Sequence, residues 1–252
     1  MSPAAPVWLR RARPMLGTLV EIGVGGAGAI EQAALAAAFA AVQRVQACMS
    51  RFESGSDVCR FAALAPGGGL EVAPETAAVL QAAHELRLAS RGLFDITQGR
   101  APDGWRCEGL YLRKLAAAAA FDLGGIAKGY AVDCAVQILQ QAGCTQGWVN
   151  AGGDLRAFGA VQVPVMLRDE ASGAARPFLA LGDGALATSC LGPQQRSQIW
   201  AGNGAHASAH VSVAAPLCLW ADALTKIVAA SGDDGHPLLA HYGARAWLHA
   251  GA

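Results

Sequence analysis

The chain has 252 residues, long enough to bury a full hydrophobic core. Lysine plus arginine and aspartate plus glutamate both count 19, so no net field draws the protein to nucleic acid or an anionic surface. Hydrophobic residues make 53% of it, yet no run reaches the roughly 18–20 unbroken apolar residues of a membrane span, so direct membrane insertion is not expected.

The N-terminal MSPAAPVWLRRARP lacks the apolar core of about 7–15 residues that a signal peptide needs, which predicts a cytoplasmic protein. Residues 1–15 are expected to be extended or poorly ordered. LGTLVEIGV (Leu16 to Val24) alternates like a strand. Ile30 to Met49 follows as a helix, with Leu35, Phe39, Val42 and Val45 at helical spacing. SRFESGSDVCRF is polar and irregular. Pro74 opens a second helix through about Ser90. LFDITQGRAPDGWRCEG (Leu93 to Gly109) begins like a strand and dissolves into a loop with the composition of a binding loop.

AAAAAFDL predicts a short strand, GG a tight turn, and Ala127 to Ala142 a helix closed by Gly143. WVN, AGGD and LRAFG read as strand, turn and strand. VQVPVML, PFLAL, GALATS, HVSVAAP and ARAWLHA are further strands, and Asp222 caps a last helix, ALTKIVAAS. Helices early and strands late predict an α+β fold with an antiparallel-rich sheet, in one domain over residues 1–252. The seven cysteines are spread singly without a C-x-x-C pair, which fits reduced thiols and speaks against zinc.

Two glycine patterns compete for attention. Gly23, Gly25 and Gly28 spell G-x-G-x-x-G between a strand and a helix, the place of a dinucleotide fingerprint. The helix after it leads into CMSRFESGSD, however, where a parallel sheet needs an apolar second strand. FDLGGIAKGYAVD (Phe121 to Asp133) has a clearer logic. The double glycine lets backbone approach a ligand and adopt positive φ, the helix start directs N–H groups and its dipole there, Lys128 adds a cation and Asp122 a carboxylate. These are the parts of a phosphate-and-metal site; the bland alternative is a helix start with a solvated lysine. NAGGDL by itself reads as a turn in which Asp154 bonds its own backbone. ADALTK reads as an N-cap, Asp222, with Thr225 and Lys226 one turn above it. His206 and His210, in AHASAH, lack a supporting helix or acid for metal ligation.

Taken in order, LGT, MSRFESGSDVCRF, GLFDITQG, D-x-G-G-I-A-K-G-Y-A-V-D, NAGGDL and ADALT closely resemble the ApbE family of FAD:protein FMN transferases, from about Leu16 onward. The resemblance implies an ApbE-like fold and magnesium-assisted cleavage of FAD, with transfer of FMN to a threonine or serine hydroxyl and release of AMP. It also implies an acceptor flavoprotein, of a kind common in membrane redox complexes. By the resemblance, Leu16, Phe52, Leu93, Phe94, Asp95, Asp122 and Lys128 would contact FAD, with Phe52 stacking on adenine. The Gly125 carbonyl and Asp222 would bind magnesium, and Asp222 would also receive the proton of the attacking hydroxyl.

Two departures lie at the reacting end. The family's H-x-I-D-P-x-T-G is replaced by RSQIWAGNGAHAS, of which Ile199 remains, and Lys226 stands where the family presents a threonine hydroxyl to the metal. An ammonium has no lone pair to give a metal. Either Thr225 supplies the hydroxyl and Lys226 points away, or Lys226 takes the metal's place and pairs with Asp222; the sequence leans to the second. A flavin-binding protein of the same fold without transfer, and a nicotinamide-dependent Rossmann oxidoreductase, remain as alternatives.

Overall fold

The structure, a computed structural model, describes residues 7–168, 173–191 and 209–249. Strands β1 (Trp8–Met15) and β2 (Thr18–Gly25) form a hairpin in register from Trp8 opposite Gly25 to Met15 opposite Thr18. Its two turn residues, Leu16 and Gly17, both have positive φ, 55° and 71°, as the twist-matched hairpin turn requires. Leucine is strained there; its N–H is held by Gln46 Oε1 at 2.8 Å.

Helix α1 (Ala29–Met49) buries Leu35, Phe39, Val42 and Val45 on one face. The stretch expected to be irregular contains a short helix, α2 (Asp57–Ala62), capped by Ser56 Oγ on the Cys59 N–H. One turn and a half is too short for periodicity to reveal. Strand β3 (Gly69–Glu71), helix α3 (Pro74–Ala89), and strands β4 (Trp105–Glu108) and β5 (Tyr111–Lys114) follow. Helix α4 (Ala127–Gln141) precedes strands β6 (Gly147–Ala151), β7 (Asp154–Phe158), β8 (Val163–Arg168), β9 (Ala175–Leu181), β10 (Gly184–Leu191) and β11 (Ala209–Ala215). Helix α5 (Cys218–Ser231), helix α6 (Pro237–His241) and strand β12 (Arg245–His249) complete the described chain.

The main sheet has the order β1-β2-β6-β7-β10-β11-β12; β3-β5-β4 and β8-β9 form smaller ones. The fold is thus α+β, and every ladder among the described strands is antiparallel. That disposes of the Rossmann alternative. Gly23 and Gly25 lie inside β2, where a Cβ on Gly23 would meet the Trp148 indole at 2.6 Å. Helices α1, α4 and α5 cover one face with the larger core, and Leu155, Ala157, Leu181 and Leu186 form a smaller cluster on the other. Among the described residues no helix is long and apolar enough to cross a membrane.

Three sequence expectations need correction. AAAAAFDL is not a strand: it meets the preceding loop through scattered bonds, Ala116 N–H to Gly104 O at 3.1 Å and Asp122 N–H to Ile96 O at 2.7 Å, and forms no ladder. Phe121 instead stacks on Phe61, ring centroids 4.3 Å apart. LFDI turns at once, because the Asp95 carboxylate accepts from the Thr97 and Gly99 N–H groups, both at 2.8 Å, and so competes with any ladder. Asp222 is no cap, since α5 starts four residues earlier and is not the last helix. Its cap comes from α4: Asp133 accepts from the N–H groups of Cys218 (3.0 Å) and Leu219 (2.8 Å) and pairs with Arg156 at 2.7 Å. We expect Asp133→Ala to lower stability by about 2 kcal/mol, read as a fall in the urea midpoint, because it leaves the buried Cys218 N–H and the half-buried Leu219 N–H and Arg156 without their acceptor. A change within measurement error would show that water takes over the cap.

Candidate functional site

A cavity of about 480 Å³ opens where segments far apart in sequence meet. Leu16 comes from the β1–β2 turn, Arg51 and Phe52 from the stretch after α1, and Leu93, Phe94, Asp95 and Gln98 from the turn that Asp95 organises. Asp122 and Gly125 come from the segment before α4, Lys128 from its first turn and Lys226 from α5. Asp222 and Thr225 lie behind this wall, both 0% exposed. Ile199 and His206 lie outside the described residues. His210 stands in β11 opposite Cys190 and His249, among the residues of a separate groove.

The rim and the floor differ in character. At the rim Phe52 is 84% exposed, with the Arg51 guanidinium 4.9 Å from its ring centroid. The walls are apolar, from Val45, Met49, Ile96 and Phe121. Phe94 belongs mainly to the core. Asp122 is held from two sides, accepting from the Gly124 N–H at 2.9 Å and from Gln98 Nε2 at 2.8 Å. Gln98 has φ 53°, a strained value for a non-glycine residue, and sequence reading passed over it because nothing in TQG marks a side chain that returns to an acid 24 residues away. Asp95 spends its carboxylate on the Thr97 and Gly99 N–H groups and the Thr97 hydroxyl.

Beneath the cavity lie four charges. Lys128 Nζ hydrogen-bonds to Asp154 Oδ2 and stands 3.6 Å from Asp222 Oδ2. Lys226 Nζ donates to Asp222 Oδ1 at 3.0 Å, Ser189 Oγ at 2.7 Å and Thr225 Oγ1 at 2.9 Å. Burial opposes the charge on Asp222, but the two ammonium groups outweigh it and hold its pKa below the ordinary value. Burial and the neighbouring Asp222 push the Asp154 carboxyl up against the pull of both lysines. Burial also works against the Lys128 charge, and the two carboxylates overcome it and raise its pKa.

Several expectations shift here. Lys128 is no solvated lysine, and Asp154 does not bond its own turn: Asn150 Oδ1 accepts from the Gly153 N–H, while Asp154 is buried in β7 on Lys128. Neither Gly124 nor Gly125 has positive φ. Gly125 leaves room instead, since a Cβ there would lie 3.0 Å from Lys226 Cε, tighter than an ordinary contact. The start of α4 is partly spent inside the protein: the Ala127 N–H bonds to Leu123 O, and the Gly129 N–H to Asp222 Oδ2 at 3.3 Å. Ser189 carries no signal in the sequence, being a serine inside a strand.

The arrangement does not fit magnesium. Lys226 covers Asp222 Oδ1, and the Thr225 hydroxyl, the alternative ligand, donates to Asp222 O at 2.6 Å and accepts from Lys226. Among the described residues no group of three or more His, Cys, Asp or Glu could hold a metal ion.

Comparison with known proteins agrees with the motifs. A model described as the ApbE family matches residues 16–118 and 102–248. No curated protein matches the chain significantly. Among solved structures, the flavin transferase ApbE from Vibrio cholerae is similar at TM-score 0.80 and 20% identity, over 97% of this chain and 94% of that one. The apo flavinyl transferase ApbE from Pseudomonas stutzeri gives 0.82 and 21%, over 98% and 92%. The ApbE protein from Thermotoga maritima gives 0.80 and 22%, over 96% and 94%. At these identities the likeness concerns the fold.

Proposed function

The chain belongs to the ApbE family, and from that premise we propose that it is a flavin transferase that binds FAD and transfers FMN to a threonine or serine hydroxyl of an acceptor protein. In this reaction the hydroxyl oxygen attacks the FMN phosphorus, the bond from that phosphorus to the bridging oxygen breaks, and AMP leaves with that oxygen. The hydroxyl proton passes to a base.

One observation carries the reading: Leu16, Phe52, Leu93, Asp122, Lys128 and Lys226, from segments spread over the chain, border a single cavity with apolar walls and two lysines at its floor. Its volume, about 480 Å³, suits a nucleotide-sized ligand. On this reading the flavin lies along the apolar walls, adenine stacks on exposed Phe52, and the pyrophosphate comes to rest toward the two lysines. Positive charge at the breaking P–O bond stabilises the oxygen that leaves. Asp222 works through the lysines: it is fully buried behind the wall, out of reach of a substrate hydroxyl, with one oxygen on Lys226 and the other on the Gly129 N–H beside Lys128. It is therefore a positioning residue.

A second reading, a flavin-binding protein of this fold without transfer, is favoured by the Lys226–Asp222 pair, since one fixed charge neutralises a leaving phosphate less than a divalent ion does. Incubation with FAD, magnesium and a flavin-acceptor domain separates the two. Transfer makes the acceptor fluorescent on a denaturing gel and releases AMP; a yellow protein that produces neither supports the second reading. Phe52→Ala is expected to weaken FAD by roughly 5- to 150-fold, the equivalent of about 1–3 kcal/mol of base stacking, and to leave FMN, which has no adenine, nearly unaffected. Equal losses for FAD and FMN in fluorescence titrations would place Phe52 elsewhere than under adenine.

A further inference from the structure

We infer that Lys226 is a built-in cation that excludes a divalent metal from Asp222 and makes nucleotide binding in this cavity independent of magnesium; the nucleotide part of this inference rests on the flavin reading above. A lysine ammonium has three protons to donate. Here they meet Asp222 Oδ1 at 3.0 Å, Ser189 Oγ at 2.7 Å and Thr225 Oγ1 at 2.9 Å, one acceptor for each. The site is complete from the other side too. Asp222 Oδ2 takes the Gly129 N–H at 3.3 Å with Lys128 at 3.6 Å, and Asp222 O takes the Thr225 hydroxyl at 2.6 Å. The oxygens that could surround a small cation already surround an ammonium.

Magnesium asks for near-octahedral oxygen at about 2.0–2.1 Å and gives up its own water reluctantly. To reach Asp222 Oδ1 it would have to enter beside the ammonium or drive it out. The lysine stem reaches Asp222 across the turn before α4. It lies over Gly125, so close that a Cβ there would stand 3.0 Å from Cε and 3.2 Å from Cγ. The Gly124–Gly125 turn thereby gains a use different from backbone approach to a ligand: it is flat where the lysine passes.

Charge supports the same conclusion. Asp154 and Asp222 face Lys128 and Lys226, two against two, so the cluster is neutral without any added ion. With all three protons committed inside the protein, Lys226 offers the cavity its charge and not a directed hydrogen bond. A divalent cation over the same carboxylates would unbalance the cluster unless Lys226 withdrew.

The test uses the full-length protein and two independent readouts. Manganese as a probe, followed by electron paramagnetic resonance without nucleotide, should show no stoichiometric site in the native protein. FAD titrated by flavin fluorescence should bind equally, within about twofold, in EDTA and in magnesium. Lys226→Thr supplies a hydroxyl and removes the ammonium, so it should gain a manganese site, and its FAD affinity should fall by about tenfold in EDTA and recover with magnesium. A manganese site in the native protein, or FAD binding by it that is lost in EDTA and restored by magnesium, overturns the inference. These arms need no variant, so a misfolded Lys226→Thr leaves them intact. Absence of FAD binding under every condition overturns the flavin reading instead, while the manganese measurement still decides whether Lys226 excludes the metal.

Discussion

Gly129→Ala should destabilise the protein by about 3 kcal/mol or more, although alanine is the better helix former. Intrinsic preference alone favours alanine over glycine in a helix by about 1 kcal/mol, so the sign of the effect separates the local from the tertiary argument. A Cβ on Gly129 would lie 2.3 Å from the Cys218 carbonyl oxygen, 2.7 Å from its carbon and 2.9 Å from Leu219 N. All three are backbone atoms, so no rotamer change relieves the contact and α4 must move away from α5. Overpacking of this kind costs about 1–3 kcal/mol where side chains can adjust, and more where they cannot. The movement would stretch the Gly129 N–H bond to Asp222 and the Asp133 cap on α5 together. Urea denaturation of the purified variant measures it; equal or greater stability would mean that the two helices do not approach this closely.

The second large effect is expected at Asp222. It is fully buried and shared by two ammonium groups, and Asp222→Ala leaves Lys226 facing two hydroxyls without its paired carboxylate. Breaking a buried pair in this way costs roughly 3–5 kcal/mol. The lower end applies, because the Lys128 side chain is 31% exposed and water screens its share. Combining Asp222→Ala with Lys226→Met should recover part of the loss, since it removes the orphaned charge and keeps the bulk of the stem. A double-mutant cycle in urea would show this as a coupling well above 0.5 kcal/mol, whereas roughly additive losses would mean that Lys226 finds solvent when Asp222 is gone.

Local chemistry decided the elements that are long and regularly patterned. The apolar spacing of Leu35, Phe39, Val42 and Val45 made α1 legible, Pro74 marked the first residue of α3, and Gly143 the exit from α4. The GG-x-x-K turn also stood out, because glycines next to a lysine at a helix start are a short-range pattern. So did the α+β class, which follows from the order of helices and strands.

What the sequence could not supply are partners that meet only when the chain folds. The acid that caps α5 is Asp133, 85 residues before Cys218, and the one that caps α3 is Asp57, which accepts from the Ala73 N–H at 2.9 Å. Capping rules look a few residues ahead, so they place the start of α5 near Asp222, which is one turn inside it. Asp154 passed for a turn residue because its bond to Lys128 spans 26 positions. The sequence by itself placed a lysine four residues after Asp222, one helical turn away, and ruled it out as a metal ligand. Only the tertiary structure decided where the ammonium goes. Ser189 arrives from β10 and Gly125 from the turn before α4, and by giving Lys226 an acceptor and a path they point its charge inward onto Asp222. A side chain's direction depends on which oxygens surround it, and those oxygens come from parts of the chain that no local pattern connects.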